Sequence, residues 1–177
     1  ANYLGHYQTT GQEIWEQTNG NIDGFICSSG TGGTIAGVGK ALKEKNKNIK
    51  IYLSDPKGSA LYNHIKYNEL KIEGNSITEG IGSSRITSNF KEATIDDAYQ
   101  IDDKEALLEI YKLIENEGFS LGISTGINIV GAIKMAKEMG PGKNIVTILC
   151  DRSDMYNSKL FNKDFLNSKN LPIPNWI

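Results

Sequence analysis

The sequence predicts an α/β domain in which helices cover both faces of a mainly parallel sheet, giving a three-layer architecture. Three observations point there. A strand, helix, strand succession runs from Ile22 to Leu53, a second helix-then-strand unit runs from Ser124 to Cys150, and a glycine-rich loop sits where the first strand meets its helix. Composition agrees: 177 residues with 38% hydrophobic and 23% charged side chains are enough for one domain with its own core.

In chain order, a short helix is expected from Gln8 to Gln17, with Thr9 and Thr10 as caps and Ile14 and Trp15 as its apolar positions. The turn Asn19-Gly20-Asn21 leads into an apolar run from Ile22 to Ser28, the first buried strand. Helical spacing of Ile35, Val38, Ala41 and Leu42 predicts a helix from Thr34 to Lys45, and a strand follows from Ile49 to Leu53, stopped by Asp55-Pro56. Parallel strands joined through a helix require a right-handed crossover. Ser59 to Tyr67 reads as a helix, and Gly74 to Asn89, rich in glycine and serine, as a long loop. Ala106, Leu107, Ile110, Leu113 and Ile114 mark a helix from Asp103 to about Gly118. Ser124 or Thr125 is expected to cap the next helix, closed by Gly140-Pro141-Gly142, before a buried strand from Ile145 to Cys150. The division is residues 1–155 as a partial α/β domain and 156–177 as a C-terminal helix and extended tail packed on it.

Several function classes fall away on composition. A formal net charge of −2 lacks the basic excess of a nucleic-acid binder. No apolar run approaches the ~20 residues that cross a bilayer. Cys27 and Cys150 are isolated from each other in sequence and lie in apolar contexts, so neither a disulfide framework nor a metal clip is indicated, and a reducing cytoplasm fits. The chain opens on Ala1 in helix-like sequence, so a portion lying upstream or on another chain is expected.

The residues with the clearest chemistry are Gly30, Thr31, Gly32, Gly33 and Thr34. Glycines let the backbone curl so that successive N–H groups converge at the positive end of a helix, which suits an anion, above all a phosphate. Thr31 and Thr34 add hydroxyl donors. The loop has no lysine, unlike the G-x-x-x-x-G-K-S/T loop of nucleoside triphosphatases, and Ile35 stands where the G-x-G-x-x-G dinucleotide pattern needs its last glycine.

This loop and three other segments resemble the fold-type-II pyridoxal-phosphate enzymes, specifically cysteine synthase (O-acetylserine sulfhydrylase) and its cystathionine β-synthase relatives. His6 to Trp15 match the family's H-Y-x-T-T-G-x-E-I-W, Gly30 to Thr34 its G-T-G-G-T cup, Glu79 to Gly82 its E-G-I-G segment, and Gly122 to Gly126 its G-I-S-S/T-G helix start. The resemblance implies most of the large domain of the tryptophan synthase β-like fold. It implies pyridoxal 5′-phosphate held through the backbone of Gly30 to Thr34, with Gly80, Ile81 and Gly82 on the substrate side of the ring. The implied reaction takes a β-leaving group from a serine-like amino acid and installs a thiol or sulfide, most simply cysteine from O-acetylserine; cysteine desulfhydration is a close variant. A homodimer is implied for the complete enzyme.

Two departures stand beside these matches. The Schiff-base lysine and the substrate-carboxylate loop belong to an N-terminal half that these residues do not resemble, and none of the seventeen lysines stands in a confined, pKa-lowering context. The chain alone is therefore expected to be inactive, and no catalytic residue is nominated within it. At the end of the last strand, where the family places a serine against the pyridine nitrogen, the register gives Arg152. Ser153 could take the role by a one-residue shift, Arg152 could turn to solvent, or Arg152 could donate to the nitrogen; the shift to Ser153 is preferred. A module that keeps the phosphate cup without the chemistry is the alternative from another class.

The remaining candidates read as structural. His6 and His64 lack acidic or thiol companions, so no metal site is expected. Cys27 and Cys150 read as packed strand residues. Asp96, Asp97, Asp102 and Asp103 read as caps or solvated charges of the following helix. Trp15 and Tyr156 read as packing residues.

Overall fold

The computed structural model describes residues 2–177. Four parallel strands form one sheet in the spatial order β3-β2-β1-β4: β1 (Gly24–Cys27), β2 (Lys50–Pro56), β3 (Asp97–Ile101) and β4 (Ile145–Thr147). The register sets Phe25 beside Ile51 and Val146. Alternation along β1 and β2 sends Phe25, Cys27, Ile51 and Leu53 to one face and Ile26 and Tyr52 to the other.

On the first face lie α1 (Asn2–Gln8), α2 (Thr10–Gln17), α3 (Gly33–Lys45) and α4 (Leu61–Tyr67). Their core contribution is Ile14, Ile35, Val38, Leu42 and Leu61. On the other face, α7 (Ile123–Met139) crosses the strands and is backed by α6 (Asp103–Glu117). Ile110, Ile127 and Val130 form the cluster between those two helices. The C-terminal segment closes that cluster with a short 3₁₀ turn (Ser153–Tyr156), α8 (Asn157–Leu160) and α9 (Lys163–Ser168), through buried Leu160 and Leu166.

Several expectations need correction. The strand β3 was not anticipated, because Asp97 and Gln100 break any apolar run. It forms because Ala98 and Ile101 are buried while Tyr52 and Tyr99 pack together with ring centroids 5.6 Å apart. β2 runs through Asp55-Pro56 and ends there, rather than stopping ahead of it. As the parallel partner of Ile101, Pro56 is the strand's last residue, a place where its missing N–H is tolerated. An additional helix, α1, precedes the expected one and packs on α3, whose Gly37 is small enough to admit the backbone at Tyr3. The strand ending at Cys150 is shorter than expected: β4 stops at Thr147, is only half-buried, and leaves Cys150 exposed. Neither Ser124 nor Thr125 caps α7. The cap is Gly122 without a side-chain bond, and the two hydroxyls reach sideways to the turn after β4. At the start of α6, by contrast, Asp102 and Glu105 form a capping box as the acidic cluster suggested.

Candidate functional site

The cup follows directly from the end of β1. Asn128, fully buried on α7, accepts from the Ser28 amide at 2.6 Å and donates to the Ile148 carbonyl at 2.7 Å, so it ties the exits of β1 and β4 together. The chain then turns through Gly30 to Gly32, whose φ of 86° is left-handed, and enters α3 at Gly33. A side chain on Gly32 would come within 2.7 Å of the Phe90 amide nitrogen, and one on Gly30 would overlap the Gly80 carbonyl oxygen. Glycine is needed at both positions.

Among the described residues no hydrogen bond takes up the amides of Gly30, Thr31 or Gly32. Those of Gly33 and Thr34 lie in the first turn of α3, where an intrahelical acceptor does not exist. Free amides at a 13-residue helix's positive end and two threonine hydroxyls make an anion cradle. Its outer parts come from elsewhere. Thr87, the N-cap of α5 (Ser88–Lys91), donates to the Thr31 carbonyl at 2.6 Å, and Asn2 donates to the Thr31 hydroxyl at 3.4 Å. His6, which sequence reasoning set aside as structural, lies with Nε2 3.3 Å from the Thr34 hydroxyl and Nδ1 3.1 Å from that of Thr10. The signal for it was its place at the head of the matching His6 to Trp15 segment.

The structure brings the Gly80 to Gly82 segment onto this cup. The Gly82 amide donates to the Ser29 carbonyl at 2.8 Å, and Gly80 and Gly82 have φ of 74° and 77°. On its other side lies a cavity of about 390 Å³ lined by Pro56, Ser59, Ser76, Thr78, Ile81 and Gly82. Ser29 lies two residues past the end of β1, and Asp55 is the next-to-last residue of β2. Both are buried, and the Ser29 hydroxyl and Asp55 Oδ1 lack partners. Burial pushes the Asp55 carboxyl up to about 7, against the opposing pull of hydrogen bonds from Ser59 and the Tyr62 amide. An acid before a proline at a strand end carries no sequence signal for such a role.

After β4, on the same carboxyl edge of the sheet, residues 151–153 run antiparallel to residues 120–122. The two sides of this ribbon differ. Arg152 is turned to solvent, its side chain 81% exposed and Nε 3.2 Å from Asp154. Ser153 is buried, with its hydroxyl 2.6 Å from that of Ser120. Asp151 accepts from the Tyr156 phenol at 2.6 Å, a bond that raises that phenol to about 12. His64 lies on α4, away from these contacts, and no cluster of potential metal ligands occurs among the described residues.

The segment before Gly80 is fixed by residues distant in sequence. Asp103, read as a cap, is instead buried and accepts from the Ser76 hydroxyl at 2.5 Å and the Ile77 amide at 2.8 Å. Burial raises its pKa against those bonds. Lys159 of α8 donates to the Ile77 carbonyl at 3.0 Å and pairs with Glu79.

Comparison with known proteins gives this arrangement its context. The profile of the family described as "Pyridoxal-phosphate dependent enzyme" matches residues 1–151. A cysteine synthase of Dictyostelium discoideum is 40% identical over 98% of this chain and 48% of its own length. Cysteine synthase 2 of Schizosaccharomyces pombe is 41% identical, over 97% and 47%. Among solved structures, the O-acetylserine dependent cystathionine β-synthase of Helicobacter pylori superposes with a TM-score of 0.81 at 32% identity, covering 89% of this chain and 49% of that one. A hydrogen sulfide-producing enzyme of Fusobacterium nucleatum gives 0.77 at 34% identity, over 88% and 51%. The chain thus spans about half the length of the relatives it matches. No helix among the described residues is long and apolar enough to cross a membrane. Since the profile covers most of its length, the chain belongs to the pyridoxal-phosphate dependent enzyme family.

Proposed function

We propose that this chain is the C-terminal, phosphate-holding portion of a cysteine synthase, making cysteine and acetate from O-acetylserine and sulfide. The observation that carries this reading is the set of unengaged amides from Gly30 to Thr34 at the start of α3, with Gly82 bonded to the adjoining Ser29. The cradle fits a phosphate ester, because its donors are backbone amides and hydroxyls, and Gly30 and Gly32 let the backbone take this turn against Gly80 and Phe90. Gly30, Thr31, Gly32, Gly33 and Thr34 hold the cofactor phosphate, and pyridoxal 5′-phosphate supplies an electron sink for the substrate's α-carbon. Gly80, Ile81 and Gly82 line the side from which the amino acid enters.

Ser153 meets the pyridine nitrogen in this reading; in its support, Arg152 is occupied with Asp154 in solvent while Ser153 is held inward beside Ser120. The Schiff-base lysine comes from outside these residues. In keeping with that, Lys57, Lys66 and Lys159 are each engaged with a carboxylate. The complete enzyme acts on an amino acid as a cytoplasmic homodimer. β-Elimination with release of sulfide is the nearest variant, favoured by the likeness to proteins named for sulfide production.

Titrating pyridoxal phosphate into the chain and following its ³¹P resonance tests the phosphate site. Saturable binding that inorganic phosphate competes away and Gly32→Ala abolishes is the expected outcome. Absence of binding, or binding indifferent to Gly32, would overturn the assignment of the cup.

A further inference from the structure

The segment that delivers Gly80 to Gly82 to the cup has no regular structure, and residues 74–87 as a whole form neither helix nor strand. Its position is set by anchors from other parts of the chain, among them Ser59 and Ala60, which bond to Ser83. Asp103 holds Ser76 and Ile77 from α6, and Ser29 holds Gly82 from the end of β1. Between these two, Lys159 spans the backbone and a side chain at once, through the Ile77 carbonyl and the Glu79 carboxylate. Asp103 accepts on one side of Ile77 while Lys159 donates on the other, so the peptide groups flanking Ile77 are fixed from both directions.

We infer that Lys159 is a positioning residue of the substrate-side loop: from the C-terminal segment its ammonium sets where Gly80 to Gly82 meet the cup. Three features support a role larger than that of an ordinary surface ion pair. The Lys159 side chain is three-quarters shielded, at 25% exposure, and its ammonium makes a charge-assisted bond to a carbonyl as well as to a carboxylate. It also joins residues 82 apart at a stretch of the site without regular secondary structure. Surface pairs such as Lys112 with Glu109, within α6, join residues that the helix already positions. The substrate reached through this loop is the amino acid of the proposed function, so the inference rests on that reading for its meaning but not for its geometry.

The test is amide hydrogen exchange on the chain. Lys159 makes no recorded contact with Gly82, whose amide bonds to Ser29, so protection at Gly82 reports transmission along the loop. Lys159→Met is expected to speed exchange at Ile77, Thr78 and Gly82 at least tenfold, with residues 30–34 and 103–117 unchanged, and Lys159→Arg to restore most of the protection. Glu79→Gln, a change at an exposed side chain, is expected to give a smaller increase at the same amides and serves if Lys159→Met does not fold. Unchanged exchange at Gly82, or a rise spread equally over α6, α8 and α9, would overturn the inference, since the latter marks general loosening. In the cofactor-loaded complete enzyme, Lys159→Met is expected to raise KM for the amino acid several-fold while the affinity for pyridoxal phosphate stays constant. Failure of wild-type chain to bind pyridoxal phosphate would count against the proposed function alone and leave the exchange result standing.

Discussion

The cup and the substrate-side loop meet at Gly30 and Gly80 but are built in opposite ways. The cup takes its shape from consecutive residues: a strand ends, glycines turn the chain, and α3 begins. The loop takes its shape from Ser29, Ser59, Asp103 and Lys159, which lie tens of residues away in the chain. In the proposed function, the part assigned to a constant phosphate is thus locally encoded, whereas the part assigned to the variable substrate depends on tertiary anchors, which suit lower local stability.

The sharpest way to break the contrast is Gly30→Val, which strikes both regions at once. Its Cβ would overlap the Gly80 carbonyl, so we expect destabilisation of about 4 kcal/mol, at the upper end for overpacking, read from the urea midpoint. Recovery of full stability would show that the loop yields easily. The next effect comes from Asp55, near the end of β2. The Asp55 carboxyl titrates near 7 in the fold against about 3.9 in an unfolded chain, so the folded state binds this proton more tightly. The sign follows: the contribution of Asp55 to stability is fully present below about pH 4 and is lost as pH rises through 7, with a ceiling of about 4 kcal/mol. Asp55→Asn should remove that slope in denaturant titrations between pH 4 and 8, and an unchanged slope would refute the assignment.

On the loop side, Asp103→Ala leaves the Ser76 hydroxyl and Ile77 amide without their acceptor. We expect a loss of about 2 kcal/mol and faster proteolysis within residues 74–87, with cup binding of pyridoxal phosphate little changed. A matching loss of phosphate binding would mean that the two regions are one cooperative unit. The smallest effect is expected from Thr87→Ala, which removes the cap of α5 and the bond to the Thr31 carbonyl. A loss of about 1 kcal/mol should accompany a modestly weaker phosphate site, measured by the same ³¹P titration.

The corrected elements follow the same division. Helix α6 was legible because its apolar spacing and its Asp102 to Glu105 capping box are local. Strand β3 was not, because Ala98 and Ile101 acquire partners only when β2 lies alongside. The two acids at the start of α6 look alike in sequence. Asp102 caps the helix, while Asp103 is buried and accepts from a loop 26 and 27 residues earlier. His6 likewise offers no local sign that its ring will meet Thr34 across α1 and α3.

By itself the sequence determined the α/β class, the glycine turn at Gly30 to Thr34 and the helix it opens into, because steric freedom at glycine and the 3.6-residue period act between near neighbours. Only the tertiary structure decided that Gly82 would bond to Ser29, that Asp55 would be buried with its pKa pushed up to about 7, and that Arg152 would face solvent while Ser153 turned inward. Those outcomes depend on burial and on hydrogen-bond partners brought from distant parts of the chain, and they exist only once the sheet has assembled.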